Sequence, residues 1–318
     1  MSKPILVIWL QNADPYIQAI EQEGFGDSVE VFTLSPEEQP DAQLLARMEA
    51  LIAWKVPEPM IEQMPKLRWI QTLSVAVDSW LGREDMRDDI VLTCARGVHD
   101  VQMPESIIGS LLYLTRGFDV LLEQQKQHVW ERRPPQPING KTLGILGLGT
   151  VGQAVARKLE PFGMRIIGTK NSPRDLPGID QVYGPEETDT VLEQSDFVLL
   201  QLPVTPQTEN LMNMDRFRKM KPTAYLLNFA RGQIIVDDDL IQALKTNEIQ
   251  GAVLDVFRQE PLPADHPFWD VPGLKIFPHI GGMHPQRDKI VSALFIKNLR
   301  AFLNNETQTA VVDFAVGY

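Results

Sequence analysis

The 318-residue chain is long enough for two domains of ordinary size, each with its own hydrophobic core. Hydrophobic residues make up 43% of it and charged residues 23%, as in a typical soluble globular protein. The formal net charge of −12 argues against nucleic acid or an anionic membrane as a partner, because both would be repelled. The single cysteine, Cys94, excludes an internal disulfide, and no apolar run is long enough for a signal peptide or a membrane span. We therefore expect a cytoplasmic protein.

The first third of the chain alternates short apolar runs with helical patterns. The predicted strands are Ile5–Leu10, Glu30–Thr33, Leu51–Ala53, Arg68–Thr72 and Val91–Thr93. The helical patterns between them are Pro15–Glu23, Ala42–Glu49 and Pro57–Met64. Continuous apolar strands that alternate with helices indicate a parallel sheet covered on both faces.

A longer helical pattern interrupts this alternation. It begins near Pro104, which suits the first helical position, and continues to Trp130, after which "RRPPQPING" ends it. Its length and its place between two alternating blocks indicate a connector between domains.

A second alternating block starts at Lys141. Its predicted strands are Thr142–Leu146, Arg165–Gly168, Phe197–Leu200, Ala224–Leu227, Gly251–Leu254 and Leu274–Phe277. A last helix, from about Gln286 to Leu303, is expected to pack back across the first domain or the hinge.

Three glycines in this block, Gly147, Gly149 and Gly152, follow the pattern G-x-G-x-x-G. The strand "TLGIL" precedes them and the helix "VGQAVARKLEPF" follows, which is the context of a dinucleotide-binding turn. The glycines permit a tight turn and close approach of a pyrophosphate, and the helix N-terminus favours its negative charge. A tight turn that binds no nucleotide is the alternative.

The second strand of this unit lacks the acidic residue that usually binds the ribose of NAD. Lys170 occupies the place, followed by Asn171 and Ser172, and this set suits the 2′-phosphate of NADP(H). The alternatives are that Lys170 is a solvated loop residue, or that Asp175 or Asp180 supplies the acid. We expect NADP(H) to be preferred, with NAD(H) possible.

Three polar residues follow later strands of the same block. Arg231 comes after "LLNFA", Glu260 after "GAVLDVFRQ" and His279 after "LKIFP". Because ligands of parallel sheets bind beyond the carboxyl ends of the strands, all three point to one place. An arginine can bind a carboxylate, and a histidine whose charged form is favoured by a carboxylate can donate a proton near neutral pH. Taken singly, each could equally be a surface or loop residue.

Seven segments resemble the D-isomer-specific 2-hydroxyacid dehydrogenase family. They are "TLSVAVDSW", "GVHDVQMPESI", "GKTLGILGLGTVGQAVA", "LPVTPQTENLM", "LLNFARG", "LDVFRQEPLP" and "FPHIGG". Within that family the chain is most similar to the glyoxylate/hydroxypyruvate reductase A group, with which it shares the helix ending "QQKQHVW", a basic residue at Lys170, a tryptophan at Trp54 and a final Gly-Tyr. The resemblance implies α/β architecture with two Rossmann-like, doubly wound parallel-sheet domains, an active site in the cleft between them, and a homodimer. Residues 1–98 with 284–318 would form a discontinuous, flavodoxin-like substrate domain, and residues 99–283 the dinucleotide-binding Rossmann domain.

The resemblance also assigns roles to individual residues. The catalytic residues would be Arg231, Glu260 and His279, and no metal is expected. The substrate-binding residues would be Val75, Ala76, Arg231, Trp54 and Lys55. The cofactor-binding residues would be Gly147, Leu148, Gly149, Thr150, Val151, Gly152, Lys170, Asn171, Ser172, Leu202, Pro203, Thr208, Phe229, Ala230, Arg231, Asp255, His279, Gly281 and Gly282.

Ala76 departs from the family pattern, and Trp54 and Lys55 have an alternative interpretation. Family members commonly have glycine at Ala76; alanine should leave the backbone N–H available for a substrate carboxylate while restricting φ. Trp54 and Lys55 follow the third strand, where a packed tryptophan and a surface lysine are an equal alternative to a substrate contact. A tryptophan at the site would restrict substrate size.

The predicted function is NADPH-dependent reduction of a small 2-oxo acid, such as glyoxylate or hydroxypyruvate, with His279 as proton donor. One alternative is an NAD-dependent D-2-hydroxyacid dehydrogenase that acts on another substrate, of the phosphoglycerate kind. The other is a non-catalytic protein that senses nucleotides with the same fold.

Overall fold

The computed structural model describes residues 3–314, which form two compact units. The first unit contains the residues up to Val98 and those from His284 onward, and the second runs from His99 to Met283. Each unit is built on one parallel β-sheet, so the predicted α/β class with two parallel-sheet units is confirmed. Within residues 3–314, no helix combines the length and the apolar character needed to cross a membrane.

The first unit contains five strands in the order β2-β1-β3-β4-β5, all parallel. The strands are β1 (Ile5–Trp9), β2 (Glu30–Leu34), β3 (Ala50–Ala53), β4 (Trp69–Thr72) and β5 (Val91–Thr93). The helices are α1 (Asp14–Gln22), α2 (Ala42–Arg47) and α9 (Arg287–Leu303). This is the flavodoxin-like strand order, in which the direction of winding reverses between β1 and β3.

The last helix of the chain packs on the first unit, as predicted. Phe295 of α9 lies edge-on to Tyr16 of α1 and stacks on Trp69 of β4, with ring centroids 5.9 and 5.8 Å apart. The buried amide of Asn298 on the same helix donates to Gln71 Oε1, 2.9 Å away, and accepts from the backbone N–H of Thr309. Helix and tail are therefore held to the sheet by apolar and polar contacts together.

The second unit contains seven parallel strands in the order β12-β11-β10-β9-β6-β7-β8. The strands are β6 (Thr142–Leu146), β7 (Arg165–Thr169), β8 (Gln181–Tyr183), β9 (Phe197–Leu200), β10 (Tyr225–Asn228), β11 (Gly251–Leu254) and β12 (Leu274–Ile276). The helices are α3 (Gln102–Arg116), α4 (Phe118–Lys126), α5 (Thr150–Leu159), α6 (Thr188–Gln194), α7 (Met214–Phe217) and α8 (Asp237–Lys245). The winding reverses between β6 and β9, which is where such sheets bind ligands.

Three elements differ from the sequence prediction. The prediction of a single long helix is wrong, because Gly117 adopts φ 65° and separates α3 from α4. Helix α3 also begins at Gln102, before Pro104. The predicted helix Pro57–Met64 is only a 3₁₀ turn at Met60–Gln63, because Pro59 disfavours the α conformation for Glu58, the residue before it. Strand β8 was not predicted, since its three residues form no continuous apolar run.

Candidate active site

The glycine turn connects β6 to α5 at the reversal point of the second sheet. Gly147 has φ 103°, and a Cβ there would lie 2.4 Å from the carbonyl oxygen of Gln201. A Cβ on Gly152 would lie 2.7 Å from the carbonyl oxygen of Gly147, so this glycine permits the close packing of helix and strand. A Cβ on the exposed Gly149 would meet nothing within 4 Å. The turn therefore leaves open space beside Gly149, at the N-terminus of α5, where the backbone N–H groups of a helix favour an anion.

Lys170 follows β7 directly and lies beside this turn. Its Nζ donates to the carbonyl oxygen of Leu148, 3.4 Å away, so its ammonium group is near the glycine turn. Asp180 is at the opposite end of β7, because its carboxylate accepts the N–H of Ile166 at 2.7 Å, near the start of that strand. Asp175 is exposed beyond Pro173. Lys170 thus places a positive charge at the carboxyl end of β7, next to the turn.

The other candidate cofactor residues of this unit follow the neighbouring strands at the same edge of the sheet. Leu202, Pro203 and Thr208 follow β9, and the Thr208 hydroxyl donates to the carbonyl oxygen of Pro203 at 2.6 Å. Phe229 follows β10, and Gly281 and Gly282 follow β12. A Cβ on Gly281 would lie 2.7 Å from both Phe229 Cδ1 and Asp255 Oδ2, so the segments after β10, β11 and β12 are in contact.

Arg231 lies in a tight turn after β10, held by the buried side chain of Asn228. The Asn228 amide donates to the carbonyl oxygen of Arg231 at 2.9 Å and accepts the N–H of Ala230 at 3.0 Å. The guanidinium donates to the carbonyl oxygen of Ala230 at 2.6 Å. A Cβ on Gly232 would lie 2.0 Å from the backbone of Phe257, so this turn packs directly on the segment that leads to Glu260.

Glu260 and His279 form a pair. Nδ1 of His279 lies 2.6 Å from Oε2 of Glu260, while Oε1 of Glu260 accepts the N–H of Phe257 at 2.8 Å. An ionised carboxylate only accepts hydrogen bonds, so Nδ1 carries the proton in this pair and Nε2 is left for a ligand. The imidazole is half-exposed, with 51% of the side chain accessible, so a ligand can reach it.

Asp255 fixes the segment that carries His279. Its carboxylate, fully buried after β11, accepts the backbone N–H groups of Ile280 and Gly281 at 2.8 and 2.9 Å. Burial raises the pKa of Asp255, and the two N–H groups oppose that rise. Because these bonds follow His279 directly, they hold its backbone, which has φ 54°, against the end of the sheet.

In the first unit, Trp54 and Lys55 are exposed just after β3. The backbone of Trp54 is fixed, since its carbonyl oxygen accepts the indole N–H of the buried Trp80 at 3.1 Å. The residue is 49% accessible, and its indole ring lies under the guanidinium of Arg287, with Cζ 4.3 Å from the ring centroid. Trp54 is therefore neither a packed core residue nor a free surface residue.

Val75 and Ala76 follow β4 on the neighbouring loop of the same unit, and Val75 is exposed. The expectation that the Ala76 N–H is available is wrong for this conformation, because it donates to the Ser74 hydroxyl at 2.9 Å. Ser74 also accepts the N–H of Ala95 at its carbonyl oxygen, 2.9 Å away, so its backbone is fixed to the sheet. A ligand carboxylate at Ala76 must displace the Ser74 hydroxyl.

Sequence reasoning missed three residues of these segments: Asn228, Ser74 and Arg287. Asn228 carried a usable signal, since a polar residue at the end of an apolar strand must find backbone partners. Ser74 and Arg287 carried none, because their contacts depend on loop conformation and on a helix more than 200 residues away in the chain.

Comparison with known proteins connects this arrangement to a family. A family model described as D-isomer specific 2-hydroxyacid dehydrogenase, NAD binding domain, matches residues 108–281. Glyoxylate/hydroxypyruvate reductase A of Serratia proteamaculans is 34% identical over 279 residues, which cover 84% of this chain and 87% of that protein.

Two solved structures are similar over nearly the whole chain. A D-isomer specific 2-hydroxyacid dehydrogenase family protein from Aeromonas salmonicida is 34% identical, with a TM-score of 0.87 and coverage of 98% of this chain and 100% of that one. An NADPH-dependent glyoxylate/hydroxypyruvate reductase from Sinorhizobium meliloti, in complex with NADP and sulfate, is 26% identical, with a TM-score of 0.88 and coverage of 99% and 100%.

The parallel sheet, the glycine turn and these matches define an NAD(P)-dependent oxidoreductase. The chain belongs to the D-isomer specific 2-hydroxyacid dehydrogenase family.

Proposed function

We propose that this protein reduces small 2-oxo acids, of which glyoxylate and hydroxypyruvate are the representatives, to 2-hydroxy acids with NADPH. The observation that carries the proposal is the 2.6 Å pair of His279 and Glu260, located at the same sheet edge as Arg231 and the glycine turn. The relative from Serratia proteamaculans and the structure from Sinorhizobium meliloti, both named for this activity, support it.

The second unit would bind the cofactor, and its residues fit that role. The open space at Gly149 accommodates a pyrophosphate, and the Lys170 ammonium beside the turn favours the 2′-phosphate of NADP(H). Asp180, one of the two acidic alternatives, lies at the other end of the strand, where its carboxylate accepts the N–H of Ile166. When NADPH is bound, the chemistry it supplies is a hydride for the carbonyl carbon of the substrate.

Arg231 would bind the substrate carboxylate, because a guanidinium offers two parallel donors to a carboxylate. Asn228 holds the turn of Arg231 in place from within the sheet, so the guanidinium approaches the substrate from a fixed backbone. In the first unit, the backbone of Val75 and Ala76 is proposed to bind a substrate carboxylate once the Ser74 hydroxyl is displaced.

His279 would be the proton donor. Negative charge would develop on the oxygen of the substrate carbonyl group as that group is reduced, and Nε2 of His279 would give this oxygen a proton. Glu260 keeps the imidazole oriented through Nδ1 and stabilises the imidazolium from which the proton leaves. The neutral imidazole then regains a proton from solvent, to which its half-exposed side chain has access.

Trp54 and Lys55 are proposed to border the substrate. Trp80 fixes the backbone of Trp54, and the half-exposed indole lies under the guanidinium of Arg287. An indole in this position would limit the volume available to a substrate side chain. This favours two- and three-carbon oxo acids over branched ones.

We also propose that the protein is a homodimer that associates through α4 and the segment after it. Several large apolar side chains are exposed there, among them Phe118, Leu121, Leu122, Val129 and Trp130, the last 90% accessible. Exposed apolar clusters of this kind are typical of protein–protein contacts, which supports the proposal.

A panel of 2-oxo acids tested with both cofactors examines the proposed function. We expect NADPH oxidation with glyoxylate and hydroxypyruvate, slower turnover with branched oxo acids, and a lower kcat/KM with NADH. Turnover confined to NADH with a different 2-hydroxy acid would point to the phosphoglycerate-like alternative. Binding of the nucleotide without any turnover would point to a sensor.

A further inference from the structure

Arg287, the first residue of α9, touches two loops of the first unit at once. Its guanidinium carbon lies 4.3 Å from the centroid of the Trp54 ring, and its Nη2 donates to the carbonyl oxygen of Leu73. The other terminal nitrogen, Nη1, donates to Asp288 Oδ1 at 3.2 Å. Only 22% of the side chain is accessible, so these contacts occupy most of its surface.

The two loops are the ones proposed to contact the substrate. Trp54 follows β3, Leu73 immediately precedes Ser74 to Ala76 after β4, and β3 and β4 are neighbours in the sheet. A guanidinium that lies over an indole can at the same time donate a hydrogen bond to a neighbouring carbonyl group. Arg287 therefore links the indole to the loop that follows β4.

The backbone of each loop is held by other residues. The indole N–H of Trp80 fixes the carbonyl group of Trp54, and Ala95 fixes that of Ser74. These bonds do not determine the direction of the Trp54 side chain. The guanidinium of Arg287 covers one face of its indole ring.

We propose that Arg287 is a positioning residue that sets the size limit of the substrate site by holding the Trp54 indole in place. This inference rests on the proposed function. Arg287 itself contacts neither the substrate nor the cofactor in this role, and it acts through Trp54.

The test compares kcat/KM for two substrates with NADPH: glyoxylate, which has no side chain, and the branched 2-oxo acid derived from leucine. In Arg287→Ala the indole is free to turn away, and the ratio of branched acid to glyoxylate should rise roughly tenfold. Arg287→Lys retains the charge but not the planar guanidinium, so its ratio of kcat/KM for the branched acid to that for glyoxylate should fall between those of the wild type and Arg287→Ala. If Arg287→Ala does not fold, Arg287→Lys takes its place in the test.

Arg300→Ala is the matched control. Arg300 lies on the same helix and makes the same two kinds of contact, with Glu23 Oε2 at 2.6 Å and with the Phe25 ring at 5.5 Å. These partners belong to neither loop, so the substrate ratio should equal that of the wild type.

A double-mutant cycle with Trp54→Ala separates positioning from a general loss of structure. If Arg287 acts through Trp54, adding Arg287→Ala to Trp54→Ala leaves the ratio unchanged. A full tenfold rise in the Trp54→Ala background, or no change in Arg287→Ala alone, would overturn the proposal.

Acrylamide quenching of tryptophan fluorescence gives a second readout that needs no turnover. The component that disappears in Trp54→Phe should be quenched more strongly in Arg287→Ala, and unchanged quenching contradicts the positioning role alone. Failure of the wild-type enzyme to reduce any 2-oxo acid contradicts the proposed function and the size limit together, whatever the quenching result.

Discussion

Lys170 is the residue on which the choice of nucleotide depends. Its ammonium group lies at the glycine turn. Asp180, an alternative ligand for the ribose, binds the backbone at the other end of β7. In Lys170→Asp we expect the ratio of kcat/KM for NADPH to that for NADH to fall by about 10- to 100-fold, because a charge-assisted bond becomes a repulsion. Steady-state kinetics with both nucleotides measures it.

Lys219→Asp is the control for this prediction. It makes the same change of charge at an exposed position of the same unit, after α7, where Lys219 pairs with Glu193 at 3.3 Å. Its cofactor ratio should remain that of the wild type. An unchanged ratio in Lys170→Asp would mean that another group recognises the phosphate.

For single residues, the sequence predicted which polar side chains lie at the candidate site but not all of their contacts. Arg231, Glu260 and His279 were predictable as a group because parallel strands bring their carboxyl ends to one edge. The Ser74 hydroxyl on the Ala76 N–H was not predictable, since a three-residue turn depends on dihedral angles that residue types leave open. The catalytic and binding roles themselves stay predictions.

In the turn between β6 and α5, Gly152 is required for packing, whereas Gly149 faces open space. In Gly152→Ala the new Cβ meets the Gly147 carbonyl oxygen at 2.7 Å, and such overpacking should lower the free energy of unfolding by about 1–3 kcal/mol. In Gly149→Ala the Cβ meets no protein atom, so stability should fall by less than about 1 kcal/mol while NADPH affinity weakens.

Chemical denaturation and NADPH titration of the two variants form a matched comparison. Equal destabilisation by both would show that Gly149 has a packing role. Unimpaired NADPH binding by Gly149→Ala would show that the pyrophosphate lies elsewhere.

Among the elements, the strands were far more predictable than the helices. Parallel strands buried on both faces are continuous apolar runs, which is why every predicted strand is present and only the short β8 was missed. The break at Gly117 was not predicted, because apolar residues continue on both sides of it and only the backbone angle ends α3. The attachment of α9 through Asn298 and Gln71 joins residues too far apart for any local pattern.

For the whole molecule, the exposed apolar cluster on α4 and its following segment leads to a prediction about assembly. Light scattering should give the wild type the mass of two chains, and Trp130→Glu together with Leu122→Glu should shift it toward one, because two charges would have to be buried. Trp269→Glu changes a half-exposed tryptophan elsewhere on the second unit and should leave the dimer intact. A wild-type mass of one chain contradicts the proposed dimer.

His279, held by Glu260, is proposed to give the proton to a 2-oxo acid that NADPH reduces. The most direct measurement is the rate of NADPH oxidation with glyoxylate by the wild type and by His279→Ala, beside an independent titration of NADPH binding. We predict measurable turnover by the wild type, a fall of about 10²- to 10⁴-fold in kcat for the variant, and nearly unchanged NADPH affinity. A variant that keeps its turnover, or one that loses NADPH affinity as steeply as activity, would contradict this role of His279.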